Sequence, residues 1–244
     1  MRRLWMAVLV VPVLALAAPT GASAAPAVHA ARTQPAVATG QVLREGTDGL
    51  STRELQRRLA ALGYYPGPVD GQFGADTQEA VWAFQETQGL PGEDYVSSAM
   101  EQALSDPQAP KVLDAAAGPN LVEVNLGTEV LVLYHNNQIE LISHVSSGGG
   151  YYYPCPGDPY ATCGPAVTPT GNFRTVVFLP GWVAVPLGFM YNPVFFVGTS
   201  YAIHGDTYVP LAPVSHGCIR IPMDIAAFFY TLVKVPGEPV IVRN

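Results

Sequence analysis

Cys218 sits in the run Ser215-His216-Gly217-Cys218-Ile219-Arg220, and a second histidine stands upstream in Ile203-His204-Gly205. These residue types are the parts of nucleophilic cysteine chemistry. The thiolate is the reactive form, and a nearby imidazole takes the thiol proton near neutral pH. A glycine lets backbone approach a substrate carbonyl, so that successive amides point at a developing oxyanion. Two other readings use the same residues. A lone cysteine serves as a small buried hydrophobe, with the histidines satisfied structurally beside it. Cysteine and histidine are also the usual ligands of zinc, although a fourth ligand and the paired CxxC or HxxxH spacing are missing.

The order of these residues resembles the signature of L,D-transpeptidases with a YkuD-type catalytic domain. Upstream, Thr168-Pro169-Thr170-Gly171-Asn172-Phe173 looks like the TPTGxF element of that family. The resemblance covers residues 119–243. It implies cysteine acyl transfer on peptidoglycan stem peptides, with no cofactor and no metal. Cys218 would attack the carbonyl of the third stem residue, expel the terminal D-alanine, and pass the acyl group from a thioester to a second stem as a 3→3 cross-link. The resemblance assigns the base to His204, oriented by the carbonyl of Gly205, and the oxyanion donors to the Gly217 and Cys218 amides. His216 is expected to shape the turn, and either to contact substrate or to move a proton. Ser215 either hydrogen-bonds within the site or forms the turn. Arg220 either binds a substrate carboxylate or closes an internal salt bridge. An L,D-carboxypeptidase and a non-catalytic wall-binding protein are the alternatives.

These residues need a scaffold, and the pattern supplies one from Asn120 onward. Val122, Val124 and Leu126 alternate with polar residues, as in a half-buried strand. Strands are predicted over 130–134, 139–145, 173–179, 195–197, 201–204 and 239–243, with an Asn136-Asn137 hairpin turn and one helix over 223–234 opened by Pro222. The loop from His204 to Ser215 is short for the family and stiffened by prolines.

Residues 43–105 read differently. Ser51-x-x-Glu54 is a capping-box pattern, Leu55, Leu59 and Leu62 follow at helical spacing, and Gly63 supplies a stop. A second helix carries Thr77, Ala80, Val81 and Phe84, and a third follows Ser97 or Ser98. Leu55-Gln56, Leu62-Gly63-Tyr64, Asp70-Gly71, Phe73-Gly74 and Phe84-Gln85 resemble the three-helix peptidoglycan-binding domain. That implies a wall ligand, for which Tyr64, Tyr65, Trp82 and Gln85 are the candidate contacts. The expected fold is therefore a small all-α three-helix domain followed by a β-rich L,D-transpeptidase domain, a mixed sheet or sandwich with one main helix. Residues 106–118 form the linker between them.

The whole chain has 244 residues, of which only 13% are charged, and a formal charge of -7. No basic stripe exists to neutralise phosphates, so no nucleic-acid partner is expected. The expected partners are peptidoglycan stem peptides and the glycan wall. Arg2 and Arg3, the apolar run Leu4 to Ala18 and Ala22-Ser23-Ala24 form a secretory signal over residues 1–24. A disordered linker over 25–42, secretion, wall association and no lasting membrane anchor are expected. Three cysteines are present. Outside the cytoplasm Cys155 and Cys163 are expected to pair, which leaves Cys218 free. Their bridge would pin the loop 146–170 as a lid, with Tyr151, Tyr152 and Tyr153 lining the substrate groove.

Overall fold

The computed structural model describes residues 42–244. The expected signal segment and nearly all of the linker after it lie outside the described residues. The order of elements is α1 (Leu50–Ala61), α2 (Ala75–Thr87), α3 (Ser98–Ser105), β1 (Leu121–Asn125), β2 (Val130–His135), β3 (Gln138–His144), β4 (Tyr152–Cys155), β5 (Asp158–Pro165), β6 (Gly171–Arg174), β7 (Val177–Phe178), β8 (Trp182–Val185), β9 (Gly188–Val197), β10 (Tyr201–Gly205), β11 (Ile219–Ile221), α4 (Met223–Leu232) and β12 (Pro239–Arg243).

A helical part and a β-rich part follow one another as the sequence predicts, but they share a core. The first sheet has the order β3-β2-β1-β12-β6, antiparallel except where β1 runs parallel to β12. Its inner face, with Val122, Leu131, Leu133 and Val240, packs on Val194, Phe196, Ile203 and Ile219 of the second sheet and on Phe229 of α4. The second sheet has the order β11-β10-β9-β7, with β8 also on β9. The outer face of the first sheet, with Val130, Val132, Ile142 and Ile241, packs on Leu59, Phe84 and Met100 of the helices. Coverage on both faces is why β2 is an unbroken apolar run rather than an alternating one. The segment expected as a free linker is strapped down as well. The Leu113 and Asp114 amides donate to the Glu123 carboxylate of β1 at 2.9 Å each.

Two local expectations change. α1 starts at Leu50 behind Gly49, whose φ is 113°, so Ser51 lies in the first turn and not at the cap. The predicted strand over 173–179 breaks into β6 and β7 at Thr175. There the Thr175 hydroxyl donates to the Lys234 carbonyl at 2.6 Å and its amide to Glu238 O at 2.9 Å, which carries the chain from one sheet to the other.

The four side chains offered as wall contacts are built into packing. Tyr64 is 4% exposed and meets Phe84 edge-on. Tyr65 lies against Phe228 of α4, with ring centroids 5.0 Å apart, and Trp82 lies edge-on to His144 at 5.7 Å. Gln85 is buried, donating to Tyr95 O at 3.2 Å and accepting from the Glu93 amide at 2.9 Å. Tyr64 and Gln85 are therefore enclosed, whereas Tyr65 and Trp82 stay half-buried.

Candidate active site

β10 and β11 are parallel neighbours, with Ile203 opposite Ile219 and His204 opposite Arg220. Strand alternation does the rest. Ile203 and Ile219 are fully buried in the core between the sheets, so His204, Cys218 and Arg220 fall on the other side and line one cleft. The cleft has a volume of about 880 Å³.

His204 is buried, and its Nδ1 lies 3.0 Å from the carbonyl of Gly205. A carbonyl only accepts, so Nδ1 carries the proton and Nε2 keeps a lone pair. Burial pushes the His204 pKa below 6.5, against the opposing pull of the Gly205 carbonyl and Asp206. Gly205 is required for a second reason: a Cβ there would lie 2.6 Å from Ala226 Cβ of α4. Cys218 is partly buried and its Sγ lies 4.0 Å from Ser200 O. Burial raises the Cys218 pKa above its ordinary value, opposed by the Ala202 amide and the Arg220 charge. The resting pair is therefore thiol and neutral imidazole.

The turn before Cys218 is wired through two hydroxyls. Ser215 Oγ donates to the Cys218 carbonyl and accepts from the Gly217 amide at 2.9 Å. Ser215 is thus a turn former, and the Gly217 amide expected at the oxyanion site is already engaged. Thr168 Oγ1 donates to Gly217 O at 2.8 Å and accepts from the Gly148 amide at 2.9 Å. Gly217 has φ of 128°, and a Cβ there would lie 2.8 Å from Val167 O. Glycine is therefore needed at 217 for the shape of the turn.

Arg220 pairs with Asp206, Nε to Oδ2 at 3.2 Å, and its Nη1 donates to Tyr208 O at 3.3 Å. The internal salt bridge is the alternative realised, at the rim of the same cleft. Burial lowers the His216 pKa, with the Arg220 charge adding to it. Its ring packs edge-on against Tyr153 at 4.7 Å and Tyr151 at 5.5 Å. Tyr153 lines the cleft, Tyr151 Oη donates to Val214 O at 3.1 Å, and Tyr152 is 68% exposed and outside the lining. The strand period of two sends Tyr152 away from its neighbours, so three consecutive tyrosines cannot all face the groove. Cys155 and Cys163 are bridged, with Cα atoms 4.9 Å apart across the β4–β5 hairpin.

Residues 119–242 match the L,D-transpeptidase catalytic domain (YkuD) family, and residues 48–104 match a peptidoglycan binding domain. The chain belongs to the YkuD L,D-transpeptidase family. A crystal structure of an L,D-transpeptidase from Xylanimonas cellulosilytica DSM 15894 is 31% identical, with a TM-score of 0.77 over 83% of this chain and 98% of that one. A spore cortex-lytic enzyme of Bacillus cereus is 31% identical over 135 residues, which is 50% of each chain. The chain spans about half the length of the curated relatives it matches.

Several residues of this cleft carry little or no signal in the sequence alone. Thr168 was visible only as part of its motif, not as the hydroxyl that ties the motif to the turn before Cys218. Asp206 carried the weak signal of an acidic residue two positions after His204. Trp182 and Phe189 face each other's strands across the β8–β9 hairpin and line the cleft, though 54% and 67% exposed. Apolar side chains left this open beside polar chemistry had no periodic signal, because β8 and the start of β9 are short and glycine-broken.

Proposed function

We propose that this chain is a secreted, wall-associated cysteine L,D-transpeptidase that joins stem peptides in 3→3 linkage. His204 Nε2 takes the Cys218 proton as the sulfur attacks the carbonyl carbon of the third stem residue. The tetrahedral oxyanion is met by the Cys218 amide, since Gly217 N–H is committed to Ser215 Oγ. Collapse breaks the bond to D-alanine, and His204 returns the proton to the leaving amine. The side-chain amine of a second stem then attacks the thioester, loses a proton to His204, and releases the thiol.

The observation that carries this reading is the Nδ1–H bond from His204 to Gly205 O at 3.0 Å. It fixes the one tautomer able to accept the thiol proton, in the cleft that holds Cys218. A neutral pair also suits this chemistry, because a buried ion pair in the resting state would cost desolvation energy. The test is incubation with a purified tetrapeptide stem, followed by intact mass and muropeptide analysis. A Cys218-bound acyl adduct and a 3→3 dimer are expected, and Cys218→Ala should form neither. Trimmed monomers alone would assign water as the acceptor and make the enzyme an L,D-carboxypeptidase. A dimer formed by Cys218→Ala would remove the nucleophile assignment.

A further inference from the structure

His144 ends β3 far from the nucleophile in sequence, yet its ring joins three parts of the molecule. The side chain is fully buried. Nδ1 lies 2.8 and 3.0 Å from the two carboxylate oxygens of Glu86 on α2. Nε2 lies 3.0 Å from Val209 O and 3.2 Å from Pro210 O, in the segment that leads from His204 to Ser215. Two carbonyls accept only, so Nε2 carries a proton, and Nδ1 must share its own hydrogen bond with Glu86. Trp82, one helical turn before Glu86, covers the ring edge-on.

The same segment leans on the helices a second time. A Cβ at Gly92 would lie 2.7 Å from Leu211 Cδ1, so the leucine sits directly on the Gly92 backbone. Past His144 the chain then holds the segment along its length. Ser146 Oγ donates to Ala212 O at 2.7 Å, the Ser215 amide donates to Ser147 O at 2.9 Å, and the Gly149 amide donates to Ser215 O at 3.1 Å. Glu129 anchors this rail from the other side, accepting from the Ser147 amide and hydroxyl at 2.6 Å each. The proposed reaction uses neither Glu86 nor His144, and the His144 side chain is fully enclosed while that of Glu86 is 12% exposed.

We propose that Glu86 and His144 form a positioning clamp through which the helical part holds the base-to-nucleophile segment in its working shape. The peptidoglycan-binding part of the chain would then set turnover as well as location. The clamp rests on the proposed reaction only for its kinetic readout.

The test uses the full chain with Glu86→Ala, His144→Phe and Glu86→Gln. Amide hydrogen exchange over residues 205–215 reads the clamp without any substrate. A soluble stem peptide, which needs no wall contact, reads kcat and KM. Glu86→Ala and His144→Phe should speed exchange in that segment, and kcat should fall on the order of 10-fold with KM nearly unchanged. Glu86→Gln should restore both, because its amide donates to Nδ1 while Nε2–H keeps the two carbonyls. Unchanged exchange and kcat in folded Glu86→Ala overturn the proposal, and so does a Glu86→Gln as impaired as Glu86→Ala. Should His144→Phe not fold, the two Glu86 variants decide alone. Should no stem peptide react with any variant, the transpeptidase reading fails while exchange still decides the clamp.

Discussion

Thr168→Val is the sharpest probe of how the nucleophile turn is built. Valine has nearly the shape of threonine, so the change removes a hydroxyl and little else. That hydroxyl is 2.8 Å from Gly217 O and 2.9 Å from Gly148 N, and Thr168 is 2% exposed. Both backbone partners are left without a hydrogen bond. A lost net bond costs about 1 kcal/mol and an unsatisfied buried group about 1–3 kcal/mol, so a total of roughly 2–4 kcal/mol follows. For a chain of this size that is a melting-point drop of roughly 5–15 °C. The Gly217 carbonyl belongs to the peptide whose N–H is the Cys218 amide, so its release also reorients that oxyanion donor. Acylation of Cys218 should slow by on the order of 10-fold or more. Thr168→Ser keeps both bonds and should acylate at close to the wild-type rate. Thermal melting and the rate of acyl-adduct formation by mass spectrometry measure the two effects. A Thr168→Val that melts with the wild type and acylates at the same rate refutes this account of the turn.

Three further outcomes follow from the electrostatics and the bridge. Burial raises Glu79 to about 8 and Glu86 to about 7, with Asp224 and Asp76 adding to Glu79 and Glu129 adding to Glu86, while the His144 pKa is also raised, by Glu86 against burial. Each group binds more protons folded than unfolded, so stability falls as pH rises above 4.5, until about 8 for Glu79 and about 7 for Glu86, with His144 adding to the fall above 6.5. His204 and His216, with lowered values, act in the opposite sense only below 6.5. Melting curves should show the drop, Glu79→Gln should flatten it, and a flat wild-type profile contradicts the assignment. Asp206→Asn removes a charge that raises the His204 pKa, so the acid limb of kcat/KM should move to lower pH; an unmoved or rising limb counts against the role given to Asp206. Cys155→Ser with Cys163→Ser should loosen the β4–β5 hairpin by roughly 2–3 kcal/mol of chain entropy. KM for stem peptide should then rise through Tyr153, and an unchanged kcat/KM leaves the bridge without a part in substrate binding.

The elements that carry periodic apolar residues were legible. β2, β12 and α4 lie within two residues of their predicted bounds, because burial of one face or both imposes the pattern. The motifs singled out Cys218 and His204, and the parallel pairing of β10 with β11 is what brings the two motifs to one cleft. What stayed hidden depends on long-range contacts. Glu86 and His144 lie 58 residues apart, and nothing local in either segment announces the other. Of the candidate wall contacts, Tyr64 and Gln85 are buried by partners within the helical part, and Tyr65 and Trp82 are half-buried against Phe228 and His144, contacts that no local pattern announces. Ser51 matches a capping pattern, yet Gly49 at positive φ starts the helix two residues sooner. Sequence patterns rank candidates for a cap, whereas the backbone conformation of the preceding turn decides between them.

The position of β12 governs the order in which this molecule can be assembled. It lies between β1 and β6 in the first sheet, although β1 is made long before it and Cys218 precedes it. While the nascent chain grows, β1 has β2 on one side and an unpaired edge on the other. The hydrogen-bonding groups of that edge, and the apolar faces beside them, wait until Pro239–Arg243 arrives. Closing so distant a pair is slow, since the entropy of the intervening loop is lost before the contacts are gained. Cys218 adjoins β11 in the second sheet, all of whose strands precede β12, so the sheet beneath the cleft closes later in chain order than the sheet that carries it.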